Sequence, residues 1–241
     1  MKRFRLLSVF VLVGFVASGV ARATTAYESF RPGMVAGAAY TIDALRLHPT
    51  QFSVGQREIE HKRTKFDGMS PAAVTAYLQK KDVPVVIGPG GLPYLTDGHH
   101  TISALIACAQ PDKTVYGHIL ANWSDVADAE FWVRMQKQGY TFLNDSSGQH
   151  RHPSELPASL VDMKPDSYRG LAWAVMEAGG FEEIKPPAIF FQEFYWAEFF
   201  RTRITWNDAD EADFARALQE ALTLAHSPAA ATLPGYKDPQ R

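Results

Sequence analysis

The sequence has little cysteine and no excess of positive charge. One of its 241 residues is cysteine, Cys108, so no intrachain disulfide can form. The chain has 24 lysine and arginine residues against 26 aspartate and glutamate residues, for a formal net charge of −2. Binding of nucleic acid by charge alone needs a basic surface, so this balance argues against it. Hydrophobic residues make up 46% of the chain, which is enough for a full core.

The first 23 residues have the pattern of a signal peptide. A start with three basic residues precedes an apolar run from Leu6 to Val16, and residues 21–23 read Ala-Arg-Ala, the small-x-small pattern that signal peptidase cleaves. The apolar run is short for a membrane span, and no later stretch reaches about 18 apolar residues. An uncleaved N-terminal anchor is the alternative. We therefore expect an exported protein, periplasmic or secreted, without stable membrane insertion after processing.

Two regions follow the predicted signal peptide. The pattern of residues 24–145 alternates short strands and helices, and residues 146–241 read as a helical extension packed on that first region. The predicted fold class is therefore α+β. The predicted strands cover residues 39–47, 83–87, 92–95 and 115–120, and the predicted helices cover residues 70–81, 125–138, 167–178, 188–203 and 207–226.

A polar turn, Asp97-Gly98-His99-His100-Thr101, is the strongest candidate for chemistry. It lies between a predicted strand and an apolar pattern with helical spacing that begins at Ile102. A helix start exposes unpaired amides and the positive end of the helix dipole, so a phosphate group can bind there. The two imidazoles could transfer protons. The structural alternative is that Asp97 only caps the helix and that the histidines are surface residues.

A second candidate cluster lies upstream. If residues 54–63 are helical, Glu58 and Lys62 stand one turn apart on one face, with Arg57 and His61 beside them. A solvated, salt-bridged helix face is the alternative interpretation, and it is the common one for such charge pairs. Only proximity to the turn at Asp97 favours a functional role.

Taken together, these motifs resemble the ParB/sulfiredoxin superfamily and, within it, the ParB-like nuclease branch. The resemblance extends from about residue 38 to residue 236 and implies a small mixed-sheet domain whose Asp-Gly-His-His turn binds a nucleotide or phosphate. It rests on the segments His48-Pro49, Val54–Glu58 with Lys62, Pro84–Val86, Leu95–Thr101, Arg169–Trp173 with Gly179-Gly180, and Glu193–Arg201.

The sequence also departs from the superfamily. Thr101 occupies the position where relatives carry an arginine, and this removes a bidentate phosphate clamp. The turn contains no cysteine, so the sulfinic acid reduction of sulfiredoxins is excluded. No arginine-rich CTP motif and no helix-turn-helix of the chromosome-partitioning proteins is found. A free-serine kinase of the same superfamily uses an upstream glutamate as its base, and Glu58 is similar in position, with Glu60 as the second choice.

The resemblance suggests roles for the candidate residues. A phosphate ester would bind the amides of Gly98 to His100, Asp97 would position a metal ion or the turn, and His99 or His100 would protonate the leaving oxygen. Glu58 would orient the attacking water, and Lys62 and Arg57 would offset negative charge. Mg²⁺ or Mn²⁺ suits such carboxylates together with substrate phosphates. Three residues of the helical region would pair with the turn and close the site: Arg169, Glu193 and Arg201.

Three functions remain open from the sequence. The first is an exported phosphodiester hydrolase, that is, a nuclease acting on nucleic acid or another phosphate-containing substrate. The second is an ATP- or ADP-dependent phosphotransferase that acts on a small hydroxylated metabolite, although export disfavours the use of ATP. The third is a non-catalytic nucleotide-binding module in which Thr101 marks a decayed site. The sequence predicts neither the substrate nor the oligomeric state.

Overall fold

The structure, a computed structural model, describes residues 26–238. The predicted signal peptide, residues 1–23, lies outside this range, and so do the last three residues. No helix within residues 26–238 is long and apolar enough to cross a membrane.

A five-stranded mixed sheet forms the centre of the first region. The seven strands of the described chain are β1 (Glu28–Ser29), β2 (Ala39–Asp43), β3 (Ser53–Val54), β4 (Val85–Ile87), β5 (Pro93–Leu95), β6 (Thr114–Asn122) and β7 (Lys164–Pro165). The sheet has the order β1-β2-β6-β4-β5, and β3 and β7 form a separate parallel pair. Within the sheet, β1 runs parallel to β2 and β4 runs parallel to β6, whereas β2 pairs antiparallel with β6 and β4 with β5.

Seven helices accompany these strands in the described residues. They are α1 (Gln56–Asp67), α2 (Pro71–Lys81), α3 (His99–Ala107), α4 (Asp128–Lys137), α5 (Ser167–Glu177), α6 (Gln192–Arg201) and α7 (Glu211–Ala225). Local capping explains several starts. The Ser70 hydroxyl accepts a hydrogen bond from the amide of Ala73, and the Asp166 carboxylate accepts from the amides of Tyr168 and Arg169. The mixed sheet with a helical C-terminal region confirms the predicted α+β class.

Two predicted helices begin four residues later than expected, at Gln192 instead of 188 and at Glu211 instead of 207. The aromatic helix was expected from residue 188, but Phe191 has a left-handed backbone with φ of 59° and α6 begins only at Gln192. Residues 188–191 therefore form part of a loop. The last helix was expected to be capped by Asn207-Asp208, but Asp210 caps α7 by accepting from two amides of its first turn. Asp208 instead forms an ion pair with Arg57.

The described chain buries two main groups of apolar side chains. The first fills the space between the sheet and α1 to α3 and includes Tyr40, Phe66 and Ile102. Leu160 and Met163 also belong to it, so residues beyond 145 help to complete the first core. The second group packs α5, α6 and α7 against one another and includes the aromatic residues Trp196, Phe199 and Phe200 of α6. The boundary at residue 145 stays a prediction.

Candidate functional site

The polar turn leads directly from β5 into α3. Gly98 stands at the cap position with φ of 90° and ψ of 10°, a left-handed conformation that suits glycine. The amides of Gly98, His99, His100 and Thr101 have no hydrogen-bond partner among residues 26–238. Asp97 does not cap the helix with its side chain. Because these amides and the helix dipole point the same way, the start of α3 can bind an anion.

Both histidines of the turn are buried and hold the preceding loop in place. Nε2 of His99 accepts from the amide of Thr50 at 3.2 Å, and Nε2 of His100 accepts from the amide of Gly55 at 2.9 Å. A neutral ring whose Nε2 accepts a hydrogen bond carries its proton on Nδ1. In this arrangement the histidines fix the start of α1 and the segment before it against α3.

The same burial keeps these histidines uncharged. Burial, and secondarily the charge of Arg169, lowers the pKa of His99 to about 3. Burial and the Arg169 charge also hold the pKa of His100 well below its ordinary value, although Glu58 acts in the opposite direction. The general-acid role predicted for His99 or His100 needs an imidazolium ion. Since both rings are neutral at neutral pH, the geometry favours a positioning role instead.

Glu58 reaches the turn from α1, as the upstream cluster predicts. Its buried carboxylate contacts Nζ of Lys62 at 2.5 Å, and Nη2 of Arg169 lies 3.0 Å from its Oε2. Burial raises the pKa of Glu58, but attraction to protonated His100, to Arg169 and to Lys62 outweighs burial and holds this pKa well below its ordinary value. Because His100 is neutral at neutral pH, Arg169 and Lys62 keep the carboxylate ionised there.

Thr101 connects this ion pair to the helix start. Its hydroxyl accepts a hydrogen bond from Nζ of Lys62 at 3.2 Å. Lys62 thus bridges Glu58 and the first turn of α3. Through this hydrogen bond Thr101 belongs to the same cluster as Glu58 and Lys62.

Arg169 links the two regions of the molecule. Its Nη2 lies 3.1 Å from Glu193 of α6 as well as next to Glu58 of α1. Its guanidinium carbon stands 5.4 Å from the ring centre of Phe194. Nε and Nη1 are buried and have no hydrogen-bond partner within the described chain. Arg169 and Glu193 therefore pair with each other, and Arg169 is the group that compensates two carboxylates. That they close the site stays a prediction.

Two predicted phosphate ligands lie elsewhere. Arg57 binds Asp208 at 2.8 Å and Glu211 at 3.1 Å, which ties α1 to α7. The cause is its direction on α1, since it points to the helical region while Glu58 points to the turn. Arg201 donates to Asp166 at 2.8 Å and to the carbonyl of Ser146 at 2.6 Å, and so steadies the start of α5. Neither arginine lines the cleft described next, so the predicted phosphate-binding role of both is not supported.

A cleft of about 800 Å³ opens in front of the turn. Asp97 stands in it, 3.7 Å from Nζ of Lys81 at the end of α2. The lining carries the basic residues Lys62, Lys65, Lys80 and Lys81. It also includes an apolar group from the segment before α6: Ile184, Pro186, Pro187, Ile189, Phe190 and Phe191. This arrangement suits a ligand with an anionic part and a flat or apolar part.

Sequence reasoning missed most of the cleft walls. Lys80 and Lys81 end a predicted helix, and no motif marks them. Asp82 and His118 also line the cleft, although 36 positions separate them in the sequence. The two consecutive lysines at the end of the predicted helix are the local sequence signal that could have pointed to this part of the cleft. Within residues 26–238 no group of three or more His, Cys, Asp or Glu side chains is arranged to hold a metal ion.

Comparisons with known proteins agree with the motifs. Residues 40–202 match the sequence model of a family described as "Putative ParB-like nuclease". The crystal structure of protein Atu1540 from Agrobacterium tumefaciens is similar, with a TM-score of 0.69 and 33% sequence identity, over 83% of this chain and 97% of that chain. No curated protein matches the sequence.

Proposed function

Because this chain belongs to the ParB-like nuclease family, we propose that it binds a phosphoryl group at the Asp97–Thr101 turn and hydrolyses phosphodiesters there. One observation carries the proposal: the partner-free amides at the start of α3 open onto a cleft whose wall supplies several lysines. Nucleic acid is the substrate class that the family description suggests. The chain has a formal net charge of −2, so binding would depend on the lysines that line the cleft rather than on net charge.

The proposed binding mode uses backbone and side chains together. Phosphoryl oxygens accept hydrogen bonds from the amides of residues 98–101, and Lys62 and Lys81 add positive charge beside them. Glu58 accepts a hydrogen bond from the attacking water and orients it. A carboxylate paired with two cations is a weak base, so its contribution is orientation rather than proton removal.

Asp97 is the carboxylate available for a divalent cation. It is partly exposed, and its ion pair with Lys81 is long, at 3.7 Å. Mg²⁺ and Mn²⁺ are commonly held by one or two carboxylates together with substrate phosphates, so a preformed cage is not required. When bound, such an ion would neutralise charge on the phosphoryl oxygens.

The test is cleavage by the purified protein. Supercoiled plasmid and a single-stranded oligonucleotide are incubated with Mg²⁺, Mn²⁺ or a chelator, and products are separated on gels. The matched variants are Gly98→Ala and Gly179→Ala, since both glycines have a left-handed backbone, with φ of 90° and 84°, but only Gly98 lies in the cleft. We expect Gly98→Ala to slow cleavage about tenfold or more through misaligned amides and Gly179→Ala to leave it unchanged. Absence of cleavage by the unaltered protein under every condition overturns the proposal.

A non-catalytic nucleotide-binding module is the second candidate. The observation that favours it is Glu58, ion-paired with Lys62 and Arg169, next to two neutral histidines, an arrangement that binds and positions but transfers no proton. Thermal unfolding with ATP, ADP and CTP tests it, because a ligand selective for the folded protein raises the melting temperature. Stabilisation by a nucleotide without any hydrolysis or phosphate transfer selects this candidate.

We further propose that the chain is exported. The support is the N-terminal pattern of the sequence alone, with cleavage between Ala23 and Thr24. Expression of the full chain and N-terminal sequencing of the protein recovered outside the cytoplasm tests this. A first residue other than Thr24, or retention in the cytoplasm, contradicts it.

A further inference from the structure

The proposed hydrolysis lacks a proton donor at the turn, because a neutral buried imidazole would have to become an anion to give up its proton. A different histidine lines the same cleft. His118 stands on β6, and its Nδ1 lies 2.7 Å from a carboxylate oxygen of Asp82. Its Nε2 forms no hydrogen bond to any residue between 26 and 238. With 39% of its side chain exposed, the ring can meet a ligand.

The fold builds this pair through a close approach of two backbones. A Cβ atom at Gly117 would lie 1.9 Å from the carbonyl oxygen of Val83, so only glycine permits the contact. The Val83 amide donates to the carbonyl of Tyr116 at 2.9 Å, and the hydroxyl of Tyr40 donates to the carbonyl of Val83 at 2.6 Å. Residues 82–83 are thereby fixed against β6, and the neighbours of the contact, Asp82 and His118, face each other.

The backbone of Asp82 is itself unusual. Its φ of 51° and ψ of 125° lie outside the regions that residues with a side chain commonly adopt. Such conformations are unfavourable and persist where the surroundings impose them, often at functional sites. Here the geometry turns Asp82 toward His118 while the preceding residue, Lys81, faces Asp97 at the start of α3. Asp82 is therefore the sequence neighbour of a lysine that contacts the turn, and the pair lines the same cleft as the proposed phosphate site.

We propose that His118 is the general acid of the phosphodiester hydrolysis and that Asp82 is its positioning residue, an inference that rests on the proposed function. The water oxygen bonds to phosphorus, and the bond from phosphorus to the leaving oxygen breaks with its electron pair on that oxygen. Nε2 of His118 gives its proton to the leaving oxygen. The proton lost by the water returns through solvent to His118, so the net reaction consumes one water and yields a monoester and an alcohol.

The electrostatics of the pair fit this role. A side-chain hydrogen bond to Asp82 raises the pKa of His118, which is the reverse of the shift at His99 and His100. An exposed ion pair by itself is worth little to stability. Loss of the His118–Asp82 pair should therefore change stability little whether the pair is structural or catalytic. Only a catalytic pair should change the cleavage rate when it is lost.

The experiment compares two substrates that differ in their leaving group. An oligonucleotide needs a proton on its leaving alkoxide, whereas bis(p-nitrophenyl) phosphate releases a stable phenolate that needs none. We expect His118→Gln to slow oligonucleotide cleavage about a hundredfold and to change nitrophenyl ester cleavage only a few-fold. His150→Gln is the matched control, because His150 is an exposed histidine paired with Asn144 at 3.3 Å outside the cleft. It should leave both rates unchanged.

The outcomes separate the two proposals. An inactive unaltered protein overturns the proposed function and this inference with it. An active protein whose His118→Gln variant loses both substrates equally, or keeps the oligonucleotide rate, overturns the general-acid role alone. For Asp82→Asn we expect a smaller loss in kcat for the oligonucleotide with unchanged KM, and again little effect on the nitrophenyl ester. An equal effect of that variant on both substrates contradicts the positioning role.

Discussion

The cleft has a buried part, which we call the floor (Glu58, His99, His100 and Arg169), and a part-exposed part, which we call the rim (Asp97 and His118). Both contain histidine and carboxylate side chains, but these side chains differ in burial and in charge. On the floor, His99 and His100 are buried, neutral and bonded to backbone amides, and Glu58 is enclosed by two cations. On the rim, His118 and Asp97 are part-exposed and have one charged partner each. Burial decides the difference, because it penalises a charge that lacks a compensating partner. The floor is built to hold its geometry, and the rim retains an exposed histidine whose pKa is raised by Asp82.

Removing the cation of the floor should have the largest effect. Arg169→Met keeps most of the side-chain volume but leaves Glu58 and Glu193 without their shared partner. An uncompensated buried charge costs about 3 to 5 kcal/mol in the free energy of unfolding. Urea denaturation measures this loss.

The control for that variant lies on the same helix as Glu58. Arg63→Met breaks exposed ion pairs with Glu60 and Asp67 and should cost at most about 1 kcal/mol. Equal losses in the two variants would mean that the floor is no more dependent on its charges than the surface is.

Acid should reveal the next largest effect. The folded pKa of His99 is about 3, below its ordinary value of 6.5, so folding favours the neutral ring. The stabilisation is present above pH 6.5 and is lost as the pH falls from 6.5 toward 3, with a slope of about 1.4 kcal/mol per pH unit for each such histidine. His100 shifts in the same direction, and Glu58 adds a loss below its own ordinary value.

The rim should titrate in the opposite sense. The raised pKa of His118 means that its stabilisation is present below pH 6.5 and is lost as the pH rises through the folded value. Since this pair is half exposed, solvent screens it and the effect is small. Urea denaturation between pH 7.5 and 4.5 measures the sum, and His118→Gln measures the rim separately. A flat profile between pH 6.5 and 5 would contradict the neutral state of the floor.

Local signals in the sequence predicted the elements that place the floor. The helix predicted at residues 70–81 corresponds to α2, and the strands predicted at residues 83–87 and 92–95 correspond to β4 and β5. The strand, turn and helix around Asp97 were predicted for the same reason, since each is specified by neighbouring residues. The late start of α6 was missed because Phe191 adopts a left-handed backbone that only its packed surroundings impose.

The rim could not be predicted in the same way. Asp82 and His118 meet only because β6 pairs in the sheet and Gly117 allows the close approach to Val83. Such contacts depend on tertiary pairing and leave no spacing pattern in the sequence. The prediction for Arg57 was wrong in a different way. The sequence analysis placed Arg57 beside Glu58, but on α1 the Arg57 side chain points toward Asp208, away from the face that carries Glu58.

Arg57 provides a test of which face of α1 matters. Arg57→Met should lower the free energy of unfolding by about 1 kcal/mol through lost ion pairs to Asp208 and Glu211, because the site is only partly buried. It should leave KM for an oligonucleotide unchanged. Lys62 lies one turn from Glu58 on the face of α1 that lines the cleft, so Lys62→Met should raise KM for the oligonucleotide. Denaturation and steady-state kinetics on both variants measure these effects, and an increase in KM for Arg57→Met would return that arginine to the phosphate site.

The smallest effect on stability is expected at Asp97. Asp97→Asn preserves shape and breaks a long, half-exposed contact to Lys81, so the free energy of unfolding should change by no more than about 0.5 kcal/mol. If Asp97 positions a divalent cation, the Mn²⁺ concentration that gives half-maximal cleavage should nevertheless rise several-fold. Asp43→Asn is the control, because this exposed carboxylate only accepts a hydrogen bond from the amide of Leu45, which asparagine can replace. The same Mn²⁺ dependence in both variants would remove Asp97 from metal positioning. Asp97 on the rim would then position a metal ion no more than Glu58 does, whose carboxylate is held on the floor by Lys62 and Arg169.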